Sequence, residues 1–593
     1  MKHRITSQKS SILFSTILLT IILTLIDINI RELSFNSKYL VSIFFLFSLI
    51  YLLQCFLCLF YKSRFLIPIL IFISLIYSSV LIFQYSNYNL YHSFATNEVY
   101  KTLILDYEYW FSNFTALLDI KLIGYFFLLS FLVFIGFLIA WKRIFHFNTH
   151  KLDKYKFLIL LGSFLFITFT TPRVKFQTAE VSFLRTLSSF LKHYDFNPPK
   201  KLVRIFDKIK AKKVDFNILL LVNESLRSDH LNIYGYTRKT SPNISKYFKD
   251  ALLYQKCFSS TAVTHFGMQS IFTGLYPNEK ASFSPTLWQY ASQLQLQTFY
   301  FGSQVLSWSG GLDSFFLEYD YIDKIFSPIT SDNAVGHDDS LTIHAFEEYM
   351  SQESSKPFFG VIHFNATHFP YLEHKQSDRY FPTSHTTDTS KKQELINAYD
   401  NAILNLDDSI GKVMGILKSH NILENTIIIL VSDHAEAFGE HKSFFHTTIM
   451  HNEAINVPLL VLIPEKIKEK ITQTKLNTLK SYQNQYISNV DVMPSILDFY
   501  GLSPTQKIDG INLFTKSTRK FIFSTTDTHD ITFTYINTVN KNKYLFDNRN
   551  YELYFTNLNT DPSEKNFQTI PMGRLQNRKM GMRHIQKMEL EDD

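Results

Sequence analysis

Cysteine is scarce in this chain, with three residues among 593. That excludes a disulfide framework. The one close pair, Cys55 and Cys58, lies in an uncharged apolar run where thiols three residues apart serve as packing groups. Charge is also sparse, at 19% Asp, Glu, Lys and Arg, and glycine and proline number only 18 and 17. Together with 57 Phe and 33 Tyr, these values exclude a disordered, collagen-like or coiled-coil protein. The net charge of +7 comes from scattered basic residues that accompany no nucleic-acid motif, so no nucleic acid is expected as a partner. The length accommodates a membrane region plus one large soluble domain.

Apolar length is what the first third has in quantity. Nearly charge-free runs cover Ser10 to Ile26, Tyr39 to Tyr61, Phe65 to Tyr85, Leu122 to Trp141 and Phe157 to Thr171. A hydrocarbon core needs roughly 20 helical residues, so these predict five transmembrane helices over residues 1–172. No small-residue cleavage site follows the first run, which is read as retained. Lys2, Arg4 and Lys9, then Lys62 and Arg64, then Lys142, Arg143, Lys151, Lys154 and Lys156 mark the cytoplasmic segments. An odd number of spans then delivers everything after Pro172 to the outer side of the cytoplasmic (inner) membrane. Residues 173–213 are expected to form an interfacial amphipathic helix, Val181 to Tyr194, and a basic linker. Residues 214–573 form the soluble domain, and 574–593 a charged tail without periodicity, expected to be unordered.

From Val214 onward, short apolar runs alternate with helical patterns: Phe216 to Val222, Thr298 to Phe301, Phe358 to Phe364 and Thr426 to Val431. Continuous apolar strands separated by helices predict an α/β domain with a mostly parallel central sheet covered by helices. Ligands of such sheets sit beyond the carboxyl ends of the strands. Polar residues stand at those ends: Asn223-Glu224, Asn365 to His368, and Ser432-Asp433-His434. A carboxylate beside an imidazole, with His446 a dozen residues on, offers ligand types for zinc or manganese.

These residues carry a resemblance. Asn223 to Asp229, Tyr234 to Pro242, Ser259 to Pro277, Thr367 to Tyr371, Ser432 to His446 with Val457-Pro458-Leu459, Asp491 to Pro494 and Asn559 to Asn566 resemble, in that order, the alkaline phosphatase and sulfatase superfamily. The resemblance runs along Val214 to Phe567. Formylglycine sulfatases carry a C-x-P-S-R-like motif, whereas this chain reads Ser260 to Gly274 without Cys, Pro or Arg, which disfavours sulfate-ester hydrolysis by that route. A Thr nucleophile with a single Glu ligand is similar to the membrane-anchored phosphoethanolamine transferases, which also have five spans before an external catalytic domain.

The resemblance implies a phosphoethanolamine group moved from phosphatidylethanolamine, through a phospho-threonine, to lipid A, lipopolysaccharide core or another envelope glycan, with the bilayer holding the lipids. It implies zinc, or manganese, on Glu224, Asp433, His434 and the nucleophile, with His368 and His446 binding phosphate or a second metal. Counting back from Gly274 selects Thr264 as nucleophile, and the pattern T-A-x-[ST]-x-x-x-M-x-S selects Thr261; both are candidates, Thr264 preferred. His265, His363, His441 and His451 hold no motif position and are not expected to be ligands, while Glu436 and Glu440 are expected beside the ligands or in solvent. Two departures weaken lipid A as acceptor: only Cys257 lies outside the membrane, and Thr96-Asn97-Glu98 matches the family's periplasmic-loop stretch only loosely. Rival readings are a phosphoglycerol transferase or phosphodiesterase of the lipoteichoic acid synthase type, and a non-catalytic envelope sensor.

Overall fold

The computed structural model describes residues 213–570, apart from 307–312, 329–335, 353–355, 372–378, 387, 447–449, 518, 527–531 and 548–551, together with 17, 20, 21, 24, 80, 81, 84, 206 and 209. Two compact units divide the chain, Met1–Ile104 with Leu117–Phe196, and Leu105–Ala116 with Asn197–Asp593. Among the described residues no helix is long and apolar enough to cross a membrane. Apart from a few helical positions, the five expected spans lie outside the described residues, as do the interfacial helix and the charged tail.

The soluble unit is organised by a seven-stranded sheet. In chain order its strands are β1 (Asn217–Asn223), β2 (Leu252–Leu253), β3 (Gln297–Gly302), β4 (Lys324–Phe326), β5 (Phe358–Phe364), β6 (Thr426–Ser432) and β7 (Leu459–Leu462), and in space they run β2-β7-β6-β1-β5-β3-β4. From β6 to β4 every pairing is parallel, while β7 runs antiparallel to both β6 and β2. The expected strands thus form, each within a residue of its apolar run. Ile218 to Val222 in β1 are completely buried, because a central parallel strand has helices over both faces. Each such side chain contributes ~1.5–3 kcal/mol of burial energy.

One face carries α1 (Thr264–Thr273), α2 (Leu287–Gln293) and α5 (Val492–Phe499); Met268, Ile271, Phe272, Trp288 and Ile496 meet Ile218, Leu220, Val222, Val361 and Ile429 there. Farther along, α3 (Asp339–Met350) packs on β3 and against the long α4 (Lys392–Ser419). A second sheet closes the domain: β8 (Phe521–Thr525), β9 (Phe533–Asn537), β10 (Asn542–Asp547), β11 (Glu552–Asn557) and β12 (Gln568–Ile570), all antiparallel.

Register places the site. Asn223 of β1 pairs with Phe364 of β5 on one side and with Ser432 of β6 on the other. The next residues, Glu224, Asn365 and Asp433, therefore leave the sheet side by side at the carboxyl ends of its three central strands.

Candidate active site

At the end of β1 the backbone turns sharply, with Ser225 in the left-handed region at φ 57°. The turn is held from several sides. Ser432 Oγ accepts the Leu226 N–H at 2.9 Å, the Tyr399 hydroxyl donates to the Ser225 carbonyl at 2.7 Å, and the Thr367 hydroxyl donates to the Glu224 carbonyl at 2.5 Å. These contacts aim the Glu224 side chain into a fully buried point shared with Asp433 and His434.

Glu224, Asp433 and His434 present one ligand atom each within 4.8 Å of one another. His434 Nε2 lies 3.2 Å from Glu224 Oε1 and 3.4 Å from Asp433 Oδ2, while its Nδ1 is 3.0 Å from the Ala435 carbonyl. A carbonyl only accepts, so Nδ1 carries a proton toward Ala435 and Nε2 is the ring atom that faces the two carboxylates. Asp433 Oδ1 accepts the N–H groups of Ser225 and His434 at 3.2 and 2.8 Å, and its buried Oδ2 accepts no hydrogen bond. Three donor atoms thus converge on one point.

The titration behaviour agrees with that geometry. Burial alone would raise the Glu224 carboxyl, yet hydrogen bonds from His363 and His434 hold it well below the usual range. Burial and then the Glu224 charge push Asp433 well above its ordinary value. Burial would lower His434, but Asp433 and Glu224 raise it to about 9. Two carboxylates and an imidazole that demand a positive charge match the donor set of a zinc or manganese ion.

Thr264 opens α1 against this point. Its hydroxyl donates to Glu224 Oε1 at 2.7 Å and lies 3.2 Å from His434 Nε2. The residue preceding the helix, Val263, has an extended backbone and no side-chain cap for the first N–H groups, which leaves the helix start suited to an anion. At the far end Gly274, at φ 68°, terminates α1. Gly267 allows the helix to lie close: a Cβ there would stand 2.7 Å from the Asp433 carbonyl oxygen. The same carbonyl accepts from the Ser259 hydroxyl. Thr261, the other sequence candidate, is buried, and its hydroxyl makes no hydrogen bond among the described residues.

His368 and His446 form the adjoining wall. The His446 ring centre is 4.4 Å from that of His434 and 5.2 Å from that of His368. Burial lowers His368 to about 4; burial and the neighbouring His434 lower His446 to about 3. His368 Nδ1 is 2.5 Å from the Phe369 carbonyl, so in its neutral form Nδ1 carries the proton. The structure therefore gathers Glu224, Asp433, His434 and Thr264 at one point, sets His368 and His446 beside it, and leaves Thr261 outside their hydrogen bonds.

Near this point sequence reading missed His363, while Glu436 lies beside the cluster, one of its two expected places. His363, inside β5, has Nε2 3.2 Å from Glu224 Oε2. Glu436 is fully buried, 3.4 Å from His446 Nδ1, and pushed up to about 8 by burial. Glu436, two residues beyond His434, was within reach of spacing, whereas a lone histidine in an apolar run gave no signal. Glu440 instead pairs with Arg227 at 3.1 Å, His441 lies 2.6 Å from Glu453, His451 stacks on His441, and His265 packs against Phe266 and Phe315.

Comparison with known proteins agrees with the architecture. Residues 216–502 match the Sulfatase family model. The phosphoethanolamine transferase EptA of Helicobacter pylori is 26% identical over 273 residues, 44% of this chain and 51% of that protein; the phosphatidylethanolamine transferase Mcr-2 of Escherichia coli is 27% identical over 243 residues, 39% of this chain and 44% of that protein. The chain spans about half the length of the curated relatives it matches. Among solved structures, the integral membrane lipooligosaccharide phosphoethanolamine transferase EptA of Neisseria meningitidis superposes with a TM-score of 0.54 at 16% identity, over 83% of this chain and 95% of that one. Its mostly parallel sheet, its strand-end site and these matches make residues 216–502 a sulfatase-family domain of the alkaline phosphatase and sulfatase superfamily, with phosphoethanolamine transferases among its homologues.

Proposed function

We propose that this protein is a metal-dependent phosphoethanolamine transferase of the inner membrane. In this reading it takes phosphoethanolamine from phosphatidylethanolamine and passes it to lipid A, lipopolysaccharide core or another envelope glycan. The observation that carries the reading is the Thr264 hydroxyl, buried at the start of α1 and hydrogen-bonded to Glu224 at 2.7 Å. A threonine so placed serves a group-transfer intermediate, and the homologues are named for that transfer.

Glu224, Asp433 and His434 would hold the metal, zinc by donor set with manganese as the alternative. The ion would supply Lewis acidity, stabilising a deprotonated hydroxyl beside it at neutral pH. The chain's own residues supply the rest. Glu224 Oε1 accepts the Thr264 proton's hydrogen bond, directing the oxygen's remaining lone pairs toward phosphorus. Thr264 Oγ bonds to the phosphorus of phosphatidylethanolamine as the bond to the diacylglycerol oxygen breaks in line. The proton given up by Thr264 ends on that oxygen, which leaves as diacylglycerol past the neutral His368 and His446. An acceptor hydroxyl then attacks the phospho-threonine, regenerating the Thr264 hydroxyl. The uncapped start of α1 faces the phosphoryl oxygens throughout.

The five apolar runs of the first 172 residues fit a membrane region that presents both lipids to an external site. A likeness over 83% of the chain to a solved integral membrane protein supports the membrane reading. The donor is tested by supplying the purified full-length protein with acyl-labelled phosphatidylethanolamine or phosphatidylglycerol and measuring diacylglycerol release. Release from phosphatidylethanolamine is expected; preference for phosphatidylglycerol would overturn the donor in favour of phosphoglycerol transfer, and release from neither would favour a non-catalytic role.

A further inference from the structure

Behind the donor cluster runs a chain of buried contacts that the transfer chemistry described so far does not use. Glu224 has two carboxylate oxygens with separate partners. Oε1 receives the Thr264 hydroxyl at 2.7 Å and lies 3.2 Å from His434, whereas Oε2 is 3.2 Å from His363 Nε2. On the far side of the same ring, His363 Nδ1 is 3.0 Å from the Tyr300 hydroxyl. Glu224, His363 and Tyr300 are all completely buried.

The proton arrangement follows from what each group can do. A carboxylate only accepts, so His363 Nε2 carries the hydrogen that points to Glu224; Nδ1 of the neutral ring is then an acceptor, and the Tyr300 hydroxyl donates to it. Every link is satisfied in one direction, from tyrosine to histidine to carboxylate. Strand geometry provides the room. His363 of β5 is the register partner of Gly302 of β3, and Tyr300, two residues before Gly302, lies on the same face of that strand. A Cβ at position 302 would stand 2.4 Å from the Tyr300 hydroxyl oxygen and 2.7 Å from two ring carbons. Only glycine there lets the tyrosine lie over its own strand and reach His363.

We infer that Tyr300 and His363 are positioning residues that lock Glu224 as a one-oxygen metal ligand. His363 occupies Oε2, so the carboxylate cannot turn to give both oxygens to the ion, and Oε1 stays aligned with Thr264 and His434. Fixing a ligand through a neighbouring donor also sharpens metal affinity. This inference rests on the proposed role of Glu224 as a metal ligand.

The test is zinc affinity, measured by chelator competition on purified full-length protein, with circular dichroism to establish folding. His363→Ala is expected to weaken zinc binding by about 10–100-fold, the range for loss of a group behind a ligand. His363→Gln, whose amide can donate from the Nε2 position, is expected to restore most of it. Tyr300→Phe, nearly isosteric, keeps the test sound if the alanine variant misfolds; it is expected to weaken zinc several-fold in the wild-type background and to add nothing to His363→Gln. Wild-type affinity in folded Tyr300→Phe and His363→Ala proteins would overturn the relay. A wild-type protein that binds no zinc would overturn the metal reading and the relay together, whereas zinc binding with this affinity series but no cleavage of phosphatidylethanolamine would overturn only the donor.

Discussion

A threonine hydroxyl is a weak nucleophile in water, and at Thr264 it is withdrawn from water and placed between a carboxylate and an imidazole at a helix start. Thr264→Ala should lower diacylglycerol release by on the order of a thousandfold or more, with Thr264→Ser retaining part of it; steady-state release from labelled lipid checks both. Glu224→Gln removes one of two carboxylate charges and should weaken zinc retention by at least about tenfold, read as metal content after dialysis. Several of these residues were legible in the sequence because each stands just beyond an apolar strand: Glu224 after β1, Asp433 and His434 after β6, His368 three residues past Asn365. His363 was not, because it lies within β5, where a buried polar residue reads as a packing accident until its partners Glu224 and Tyr300 are brought across from two other strands. Thr264 and Thr261 look alike along the chain; only the bend into α1 turns one hydroxyl toward Glu224.

Among the elements, the contact between α1 and the end of β6 controls the site. Gly267 brings the first turns of the helix against the Asp433 carbonyl, which a Cβ would meet at 2.7 Å. Gly267→Ala should destabilise the domain by about 2 kcal/mol, a typical cost of overpacking, and should lower turnover more than a loss of folded protein explains; urea unfolding and activity at matched folded fraction separate the two. The main-sheet strands were readable as continuous apolar runs, and their parallel order followed from the intervening helical patterns. The C-terminal sheet was not. Its strands, such as Asn542–Asp547 and Glu552–Asn557, hold only three apolar residues in a row between polar ends, and their pairing is fixed by antiparallel neighbours rather than by composition.

Across the soluble unit, that C-terminal sheet meets the segment after His446 at Asn452, which hydrogen-bonds both members of a buried ion pair, Lys543 and Glu564. Lys543 of β10 and Glu564 lie 2.5 Å apart with no exposure, and Glu564 also accepts the Asn452 N–H at 2.6 Å. Burial pushes the Lys543 ammonium down and the Glu564 carboxylate opposes this, while Lys543 and His451 overcome burial to hold Glu564 at about 2. A carboxyl depressed from its ordinary value contributes stability that is full above the usual carboxylate range and is lost as the pH falls through about 2. Glu564→Gln should therefore cost about 3–5 kcal/mol near neutrality, the usual cost of breaking a buried pair, and the gap to wild type should narrow as melts are taken from pH 5 toward pH 3. Of the chain-wide architecture, five apolar runs stand in the first third of the sequence, and the external placement of the site drawn from their charge asymmetry belongs to the proposal.

The central claim, transfer through Thr264, is tested most directly by peptide mass spectrometry of zinc-loaded, full-length protein incubated with phosphatidylethanolamine, beside its Thr264→Ala and Thr261→Ala variants. One added phosphoethanolamine group on the peptide holding Thr264 is expected, present in Thr261→Ala and absent from Thr264→Ala. An adduct on Thr261, or no adduct on protein that binds zinc and releases diacylglycerol, would contradict it.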